Sequence, residues 1–317
     1  MNQKETIPVF FSADNKYAPY LGVALNSLIT NASEDYDYRL IVLCDDLSQE
    51  NREKIKKLEK PGFQIDFIPM HDKLSAFSDH NRLRCDYFTL TIYFRLFIPA
   101  LFPEYDKGIY MDSDTVVPGD ISQLYRLEMG ESLIGVCVDY SVQEAAPLTF
   151  YIDKAVGVDH TKYFNSGVLL MNLRALRDAR LDERFLSLLE TYHFDSVAPD
   201  QDYLNAMCHD RLLYLSEEWD AMPNDHKSPL PCPKLIHYNL FAKPWCYDNI
   251  QYEEYFWHYA KSSGYYEEIL AFKAEYSDEQ KRFDQSCMEA MVARALEIVK
   301  SGTTFASAFN TGLEKRL

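Results

Sequence analysis

The chain has 317 residues, of which 47% are hydrophobic and 14% aromatic, and its formal net charge is −17. That length buries a sizeable core in one large domain or two modest ones. The excess of acid excludes nucleic acid as a partner, because binding to a phosphate backbone draws on clustered Lys and Arg; an anionic ligand would need a metal or a local basic pocket.

In chain order, "IPVFFSADNKYAPYLGVALNSLI" reads as a buried strand, a polar turn at Ser12 to Lys16 and a helix with Leu21, Ala24, Leu25 and Leu28 on its apolar face. "YRLIVLCDD" is the next strand, and a charged helix opens near Ser48 with acid in its first turn. "FQIDFIPM" is a third strand. Tyr87 to Phe102 carry a helical pattern that Pro103 ends, and "GIYMD" follows as a fourth strand. Alternating strands and helices predict a parallel α/β sheet. Beyond Asp114 the order changes: "SLIGVCVDY", "FNSGVLLMNL", "RLLYLS" and "KLIHY" are further strands, with helices near 181–193 and 200–209.

From about residue 248 the composition turns aromatic and acidic, which predicts a helical carboxyl-terminal extension. Within it "SCMEAMVARALEIVKSG" has Ser286 and Glu289 at capping-box spacing, Met288, Met291, Val292, Ala295, Leu296 and Val299 on one face, and Gly302 at its end. Its polar face is less basic than that of an interfacial helix, which favours packing onto its own protein over a membrane surface. The seven cysteines, scattered without a C-x-x-C pair and odd in number, suit a reducing compartment. "MNQKETIPVFFSADN" has no signal-peptide pattern, and "FRLFIPALFP" is too short to span a bilayer. The expectation is a soluble cytoplasmic protein without a transmembrane segment, peripheral contact with a membrane being left open.

The fourth strand ends abruptly in "YMDSDTVV", with Asp112 and Asp114 around Ser113. Two carboxylates held close repel, so they share a proton or a cation, and Mg²⁺ or Mn²⁺ is the natural partner. A plain polar turn is the competing reading. In open α/β sheets the carboxyl ends of the strands are where ligands sit, which marks the first βα turn, "FSADNKYAPYL", as a nucleotide position. It lacks G-x-G-x-x-G. Asp14 either bonds a base or ribose or caps the helix, and Tyr17 either stacks on the base or packs. "YFNSGVLLMNL" sets Asn165 and Ser166 before a glycine, where a tight turn would point an amide into a cleft. "APDQDYLN" puts Asp200, Gln201 and Asp202 at a helix start. "LIHYNLFAKPW" carries His237 at a strand end, a candidate metal ligand beside two carboxylates, and Lys243 shortly after.

In this order the motifs "FSADNKYAPYLGVALNSL", "YFRL", "YMDSDTVV", "YFNSGVLLMNL" with "PDQDYLN", and "HYNLFAKPW" resemble glycosyltransferase family eight, retaining enzymes that include bacterial lipopolysaccharide galactosyl- and glucosyltransferases and glycogenin. The resemblance covers roughly residues 7–247. It implies a GT-A type nucleotide-diphospho-sugar transferase fold over 1–247, a mixed and mostly parallel sheet flanked by helices, with the helical extension over 248–317. It implies that Asp112, Asp114 and His237 bind Mn²⁺ or Mg²⁺ at the diphosphate of a UDP-hexose donor, and that Ala13, Asp14 and Tyr17 hold uridine. Lys243 would pair with a phosphate, while Arg95, Asn165, Asp200 and Gln201 would surround the donor sugar. The implied acceptor is a saccharide or glycolipid, contacted by the segment 139–164 and by the extension. One departure stands out: Asn239, Leu240 and Phe241 occupy the place where relatives often carry a small residue, commonly glycine.

Two other readings fit parts of the sequence. "YMDSDTV" also matches the D-x-D-x-[T/V] signature of haloacid-dehalogenase-like phosphatases, although there the motif follows the first strand of the core. A binding scaffold that keeps the fold without turnover is the other.

Overall fold

The computed structural model describes residues 4–70 and 90–317. Seven strands form one sheet in the order β3-β2-β1-β4-β7-β6-β8: β1 (Thr6–Ser12), β2 (Asp37–Cys44), β3 (Phe63–Pro69), β4 (Gly108–Asp112), β6 (Ile134–Val138), β7 (Phe164–Met171) and β8 (Leu212–Tyr214). The first four run parallel, β7 lies antiparallel between β4 and β6, and β8 returns parallel to β6. The sheet is therefore mixed and mostly parallel, as the family resemblance implies; the strand rhythm predicts its parallel part and not the antiparallel β7.

Ile7 to Phe11 are all buried, the signature of a strand covered on both faces. Alternation sorts them. Val9 and Phe11 join one apolar layer with the helix Ala18–Asn31, and Phe10 points into the opposite layer with Phe94, Phe97 and Phe102. The strand order turns back between β1 and β4, and a crevice opens at the carboxyl ends of strands flanking such a point. Register sets Ser12 level with Asp112 there.

A second, two-stranded ribbon pairs β5 (Thr115–Val116) with β9 (Ile236–His237) antiparallel, Thr115 opposite His237. Tyr238 N–H also donates to the Asp114 carbonyl at 2.9 Å.

Three expectations need correction. The described part of the 87–102 pattern is 3₁₀ helix over Leu90–Phe97 and only then an α-turn, Ile98–Leu101; residues 87–89 lie outside the described residues. Asn165 and Ser166 stand inside β7, not in a turn before it. Ser286 does not start a helix: the helix runs over Asp278–Ile298 behind a capping box made by Ser277 and Gln280, and Ser286 Oγ donates to the Phe283 carbonyl within it. Asp278 and Glu279 carry the helix start, since acid in the first turn suits the helix dipole.

The residues after 248 are helical, as expected, and feed both layers. Phe256, Tyr259, Tyr265 and Ile269 pack with the Ala18–Asn31 side, whereas Ala295, Ile298, Phe305 and Phe309 pack on the other. Of the proposed apolar stripe Ala295 is buried, but Met288 and Leu296 are exposed. Ile298, outside that stripe, is buried instead. Among the described residues no helix is long and apolar enough to cross a membrane, and the described cysteines are free.

Candidate active site

Asp112 closes β4, and Asp114, with only Ser113 between them, immediately precedes the ribbon strand whose partner delivers His237. Ligand atoms of Asp112, Asp114 and His237 all lie within 4.8 Å of one another. His237 Nε2 is 3.4 Å from Asp114 Oδ1 and 3.8 Å from Asp112 Oδ2. Two carboxylate oxygens and an imidazole nitrogen form a donor set suited to Mn²⁺ or Mg²⁺. The backbone makes room for that set at Gly167, where a Cβ would collide with the His237 ring and stand 2.7 Å from Asp112 Oδ2.

Each member is held by neighbours. Asp112 Oδ1 accepts from Arg95 Nη2 at 2.8 Å and from the Tyr110 hydroxyl at 2.7 Å. Asp114 Oδ2 accepts from Lys243 Nζ, which also donates to the Tyr238 carbonyl. Burial disfavours the Asp114 anion, but Lys243 and His237 outweigh it and hold the carboxyl well below the usual range. Burial likewise opposes charge on His237, yet Asp114 and Asp220 carry its pKa up to about 10. A cation that takes Nε2 as a ligand would compete with a proton there.

Beside this group stands a wall of amides and acids. β7 runs antiparallel to β4 with Met111 opposite Val168, so Asn165 to Gly167 extend past the end of β4 and over Asp112. Ser166 N–H donates to Gln201 Oε1 at 3.0 Å, and Ser166 Oγ donates to Asp200 Oδ2 at 2.8 Å. Asp139 Oδ2 accepts from both Asn165 Nδ2 at 3.1 Å and Gln201 Nε2 at 2.9 Å. Arg95 Nε lies 3.2 Å from Asp200 Oδ2 and its Nη1 donates to the Ser166 carbonyl at 2.6 Å, which ties the wall to Asp112. Burial raises the Asp200 pKa against the pull of Arg95 and Ser166.

Asp200 and Gln201 owe their place to the helix Pro199–Cys208, whose amino end is fixed by Asp202. Asp202 Oδ2 reaches back to Ala198 N–H at 3.2 Å and accepts from the Tyr151 hydroxyl at 2.6 Å, while Oδ1 accepts from the Tyr163 hydroxyl at 2.6 Å. Asp202 is thereby fully occupied in structure.

One cavity of about 190 Å³ is lined by Arg95, Asp112, Asp114, Asn165, Asp200, Gln201 and His237. Ala13, Asp14, Tyr17 and Lys243 do not line it. Asp14 Oδ1 accepts from Tyr17 N–H at 2.9 Å, a bond within the turn before the helix; the N-cap position itself is Tyr17, and no side chain caps the helix there. Tyr17 is 38% exposed, edge-on to Tyr20, which stacks on Trp245 at 3.9 Å. The first βα turn thus adjoins the turn that carries Lys243, next to the cavity.

Part of the lining is apolar: Val142, Leu148 and Ile152 come from the segment 139–164, and Met291 from the helix Asp278–Ile298. Leu240, at the departure noted above, also lines the cavity. It takes the left-handed conformation (φ 49°) that glycine adopts freely, at a cost of about 1–2 kcal/mol for a side chain.

Sequence reasoning passed over four contributors. Asp139 was legible, because "GVCVDY" ends an apolar strand on an acid as "IYMD" does. Ser166 was quoted without a role. Gly167 could be read only as part of a strand, and Asp220, in "EEWDAMP", carries no motif.

The model of Glycosyl transferase family 8 matches residues 8–249. The chain belongs to this family. A family member from Escherichia coli (strain K12), lipopolysaccharide 1,2-glucosyltransferase, is 29% identical over 262 residues, covering 77% of this chain and 74% of the relative. General stress protein A of Bacillus subtilis (strain 168) is 24% identical over 266 residues, 77% of this chain and 89% of that protein. Among solved structures, the galactosyltransferase LgtC in complex with donor and acceptor sugar analogues has a TM-score of 0.68 at 26% identity, over 81% of this chain and 96% of LgtC. LgtC has also been solved as an active-site mutant with glutamate in place of glutamine. The bifunctional glycosyltransferase WbbM shares the fold at a TM-score of 0.74 and 24% identity, over 86% of this chain and 52% of WbbM. The mixed sheet with flanking helices is the GT-A fold of these neighbours. Family membership, with the paired aspartates on the fourth strand and not the first, sets the phosphatase reading aside.

Proposed function

We propose that this family 8 member moves a hexose, glucose or galactose, from a UDP-sugar to a saccharide or glycolipid acceptor with retention of the anomeric configuration, in the presence of Mn²⁺ or Mg²⁺. The observation that carries the reading is the meeting in one cleft of the Asp112, Asp114 and His237 donor atoms with the wall of Asn165, Asp200 and Gln201. A divalent cation held by the first three supplies Lewis-acid neutralisation of the charge that grows on departing UDP. This explains how a chain of net charge −17 handles a diphosphate.

Ala13, Asp14 and Tyr17, at the β1 carboxyl end beside the cleft, are assigned to uridine, and Lys243 to a phosphate. Arg95, Asn165, Asp200 and Gln201 are assigned to the donor sugar. In the front-face route the sugar C1–oxygen bond breaks with its electron pair going to UDP. The acceptor hydroxyl forms the new bond on the same face, and its proton passes to the departing phosphate oxygen. Gln201 steadies the developing positive charge on the sugar. Its support is geometric and comparative: Gln201 is the glutamine among the described residues that line the cleft, and the LgtC mutant places a glutamine in that enzyme's active site. Capture of a glycosyl adduct on Asp200 by mass spectrometry would overturn the front-face route.

The deciding experiment is UDP release from UDP-glucose, UDP-galactose and UDP-N-acetylglucosamine, with Mn²⁺ and then with a chelator. Metal-dependent release from one of the two hexose donors is the expected result. Binding of UDP and Mn²⁺ without release or transfer would favour the scaffold.

A further inference from the structure

The His237 ring is gripped from behind. Nδ1 lies 3.2 Å from Asp220 Oδ1, while Nε2 faces Asp114 and Asp112. A neutral imidazole has a lone pair on one nitrogen only, and an acceptor that holds N–H at one position fixes the lone pair at the other. Backbone bonds set the distance between the two residues. Asp220 N–H donates to the Glu217 carbonyl at 3.1 Å, Ala221 N–H to the Leu235 carbonyl at 2.9 Å, and His237 N–H to the Ala221 carbonyl at 2.9 Å. Asp220 therefore rides on a segment stitched alongside the strand that carries His237.

Asp220 is 1% exposed, and its Oδ2 has no hydrogen-bond partner among the described residues. Its side-chain hydrogen bond goes to His237. A buried carboxylate with one oxygen unpartnered costs stability, and an apolar side chain of similar size would avoid that cost. The imidazole is the side-chain hydrogen-bond partner that the described residues give this acid.

We propose that Asp220 is a positioning residue, which accepts Nδ1–H and so holds His237 in the tautomer whose Nε2 lone pair faces Asp112 and Asp114, raising the affinity of that group for a divalent cation. The inference rests on the metal reading of the site. Such acceptors behind a ligating histidine change metal affinity by about 10–100-fold in proteins generally.

The test is Mn²⁺ titration of the whole chain without nucleotide, with free Mn²⁺ read by electron paramagnetic resonance. Asp220→Ala is expected to weaken binding about 10–100-fold. Asp220→Asn, which keeps the shape and an amide oxygen for Nδ1–H but loses the charge, is expected between Ala and wild type, and it carries the test if the Ala variant does not fold. Wild-type affinity in both folded variants would overturn the role of Asp220. With Mg²⁺ bound, ¹⁵N resonances should report the Nδ1–H tautomer of His237 in the wild type and a mixture in Asp220→Ala; an Nε2–H tautomer in the wild type would also overturn the inference. A wild-type protein that takes up no Mn²⁺ would overturn the metal reading itself, a separate failure.

Discussion

The polar and apolar linings of the cleft are built by different means. In the polar lining each side chain is held by another: Asp112 by Arg95 and Tyr110, Asp114 by Lys243, His237 by Asp220, and the Gln201 and Asn165 amides by Asp139. In the apolar lining Leu148 and Ile152 belong to one apolar cluster, and Val142 and Met291 pack against it. Directional bonds fix positions closely and leave costly orphans when one partner goes. Apolar contacts fix mainly volume and tolerate exchange. The polar lining is thus fixed by directional bonds, and the apolar lining tolerates exchange.

Substitutions should reproduce that contrast. Asp114→Asn is expected to cut metal-dependent UDP release by orders of magnitude while circular dichroism shows the fold intact; unchanged turnover with Mn²⁺ would remove Asp114 from the cation site. The same variant tests the electrostatics. Burial opposes ionised Asp114 but Lys243 and His237 win, so its pKa is lower folded than unfolded. Its contribution to stability is present above the unfolded pKa, about 3.9, and is lost as pH falls through the folded one. Urea denaturation of the cation-free protein should accordingly show a shallower acid decline in Asp114→Asn than in the wild type.

Gly167→Ala comes next. Its Cβ would press on the His237 ring and on Asp112 Oδ2, so weaker Mn²⁺ binding and a stability loss of about 1–3 kcal/mol are expected; a variant that binds Mn²⁺ as wild type does would show the donor atoms to be less constrained than their spacing implies. Met291→Ala should leave donor hydrolysis unchanged and move only the acceptor KM, because Met291 belongs to the apolar part of the lining. An equal fall in hydrolysis would erase the distinction between the two linings. Ser277→Ala, at the cap of the helix that carries Met291, should cost about 1 kcal/mol in denaturation without altering turnover.

The sequence was most readable where local pattern and architecture coincide. β1 to β4 are short apolar runs between turns, and their parallel pairing follows from the helices between them; the paired aspartates sit where such a strand must end. The rest depended on contacts distant in sequence. "FNSGVLLM" has the composition of a strand from its first residue, but the asparagine and serine suggested a turn; only the neighbouring Gln201 and Asp139 show how those polar groups are satisfied inside β7. Ser286 and Glu289 matched a capping box by spacing alone, whereas the chain was already helical from Asp278. Leu90–Phe97 shows the limit of periodicity, since an apolar repeat does not distinguish 3₁₀ from α-helix over two turns. Asp220 was beyond reach because its partner is set by the pairing of Ala221 with Ile236, which no local signal announces.

The ribbon that pairs Thr115 with His237 also has a kinetic meaning. Asp112 and Asp114 are adjacent from the moment β4 forms, but the imidazole joins them only when a long stretch of chain has closed on itself, and contacts of high sequence separation form slowly. Under the proposed cation reading, the two carboxylates alone would bind weakly before closure, and the third donor would be in place afterwards. Uptake of Mn²⁺ during refolding would therefore act as a clock for that closure, marking the step at which β9 docks and not the earlier assembly of the parallel strands.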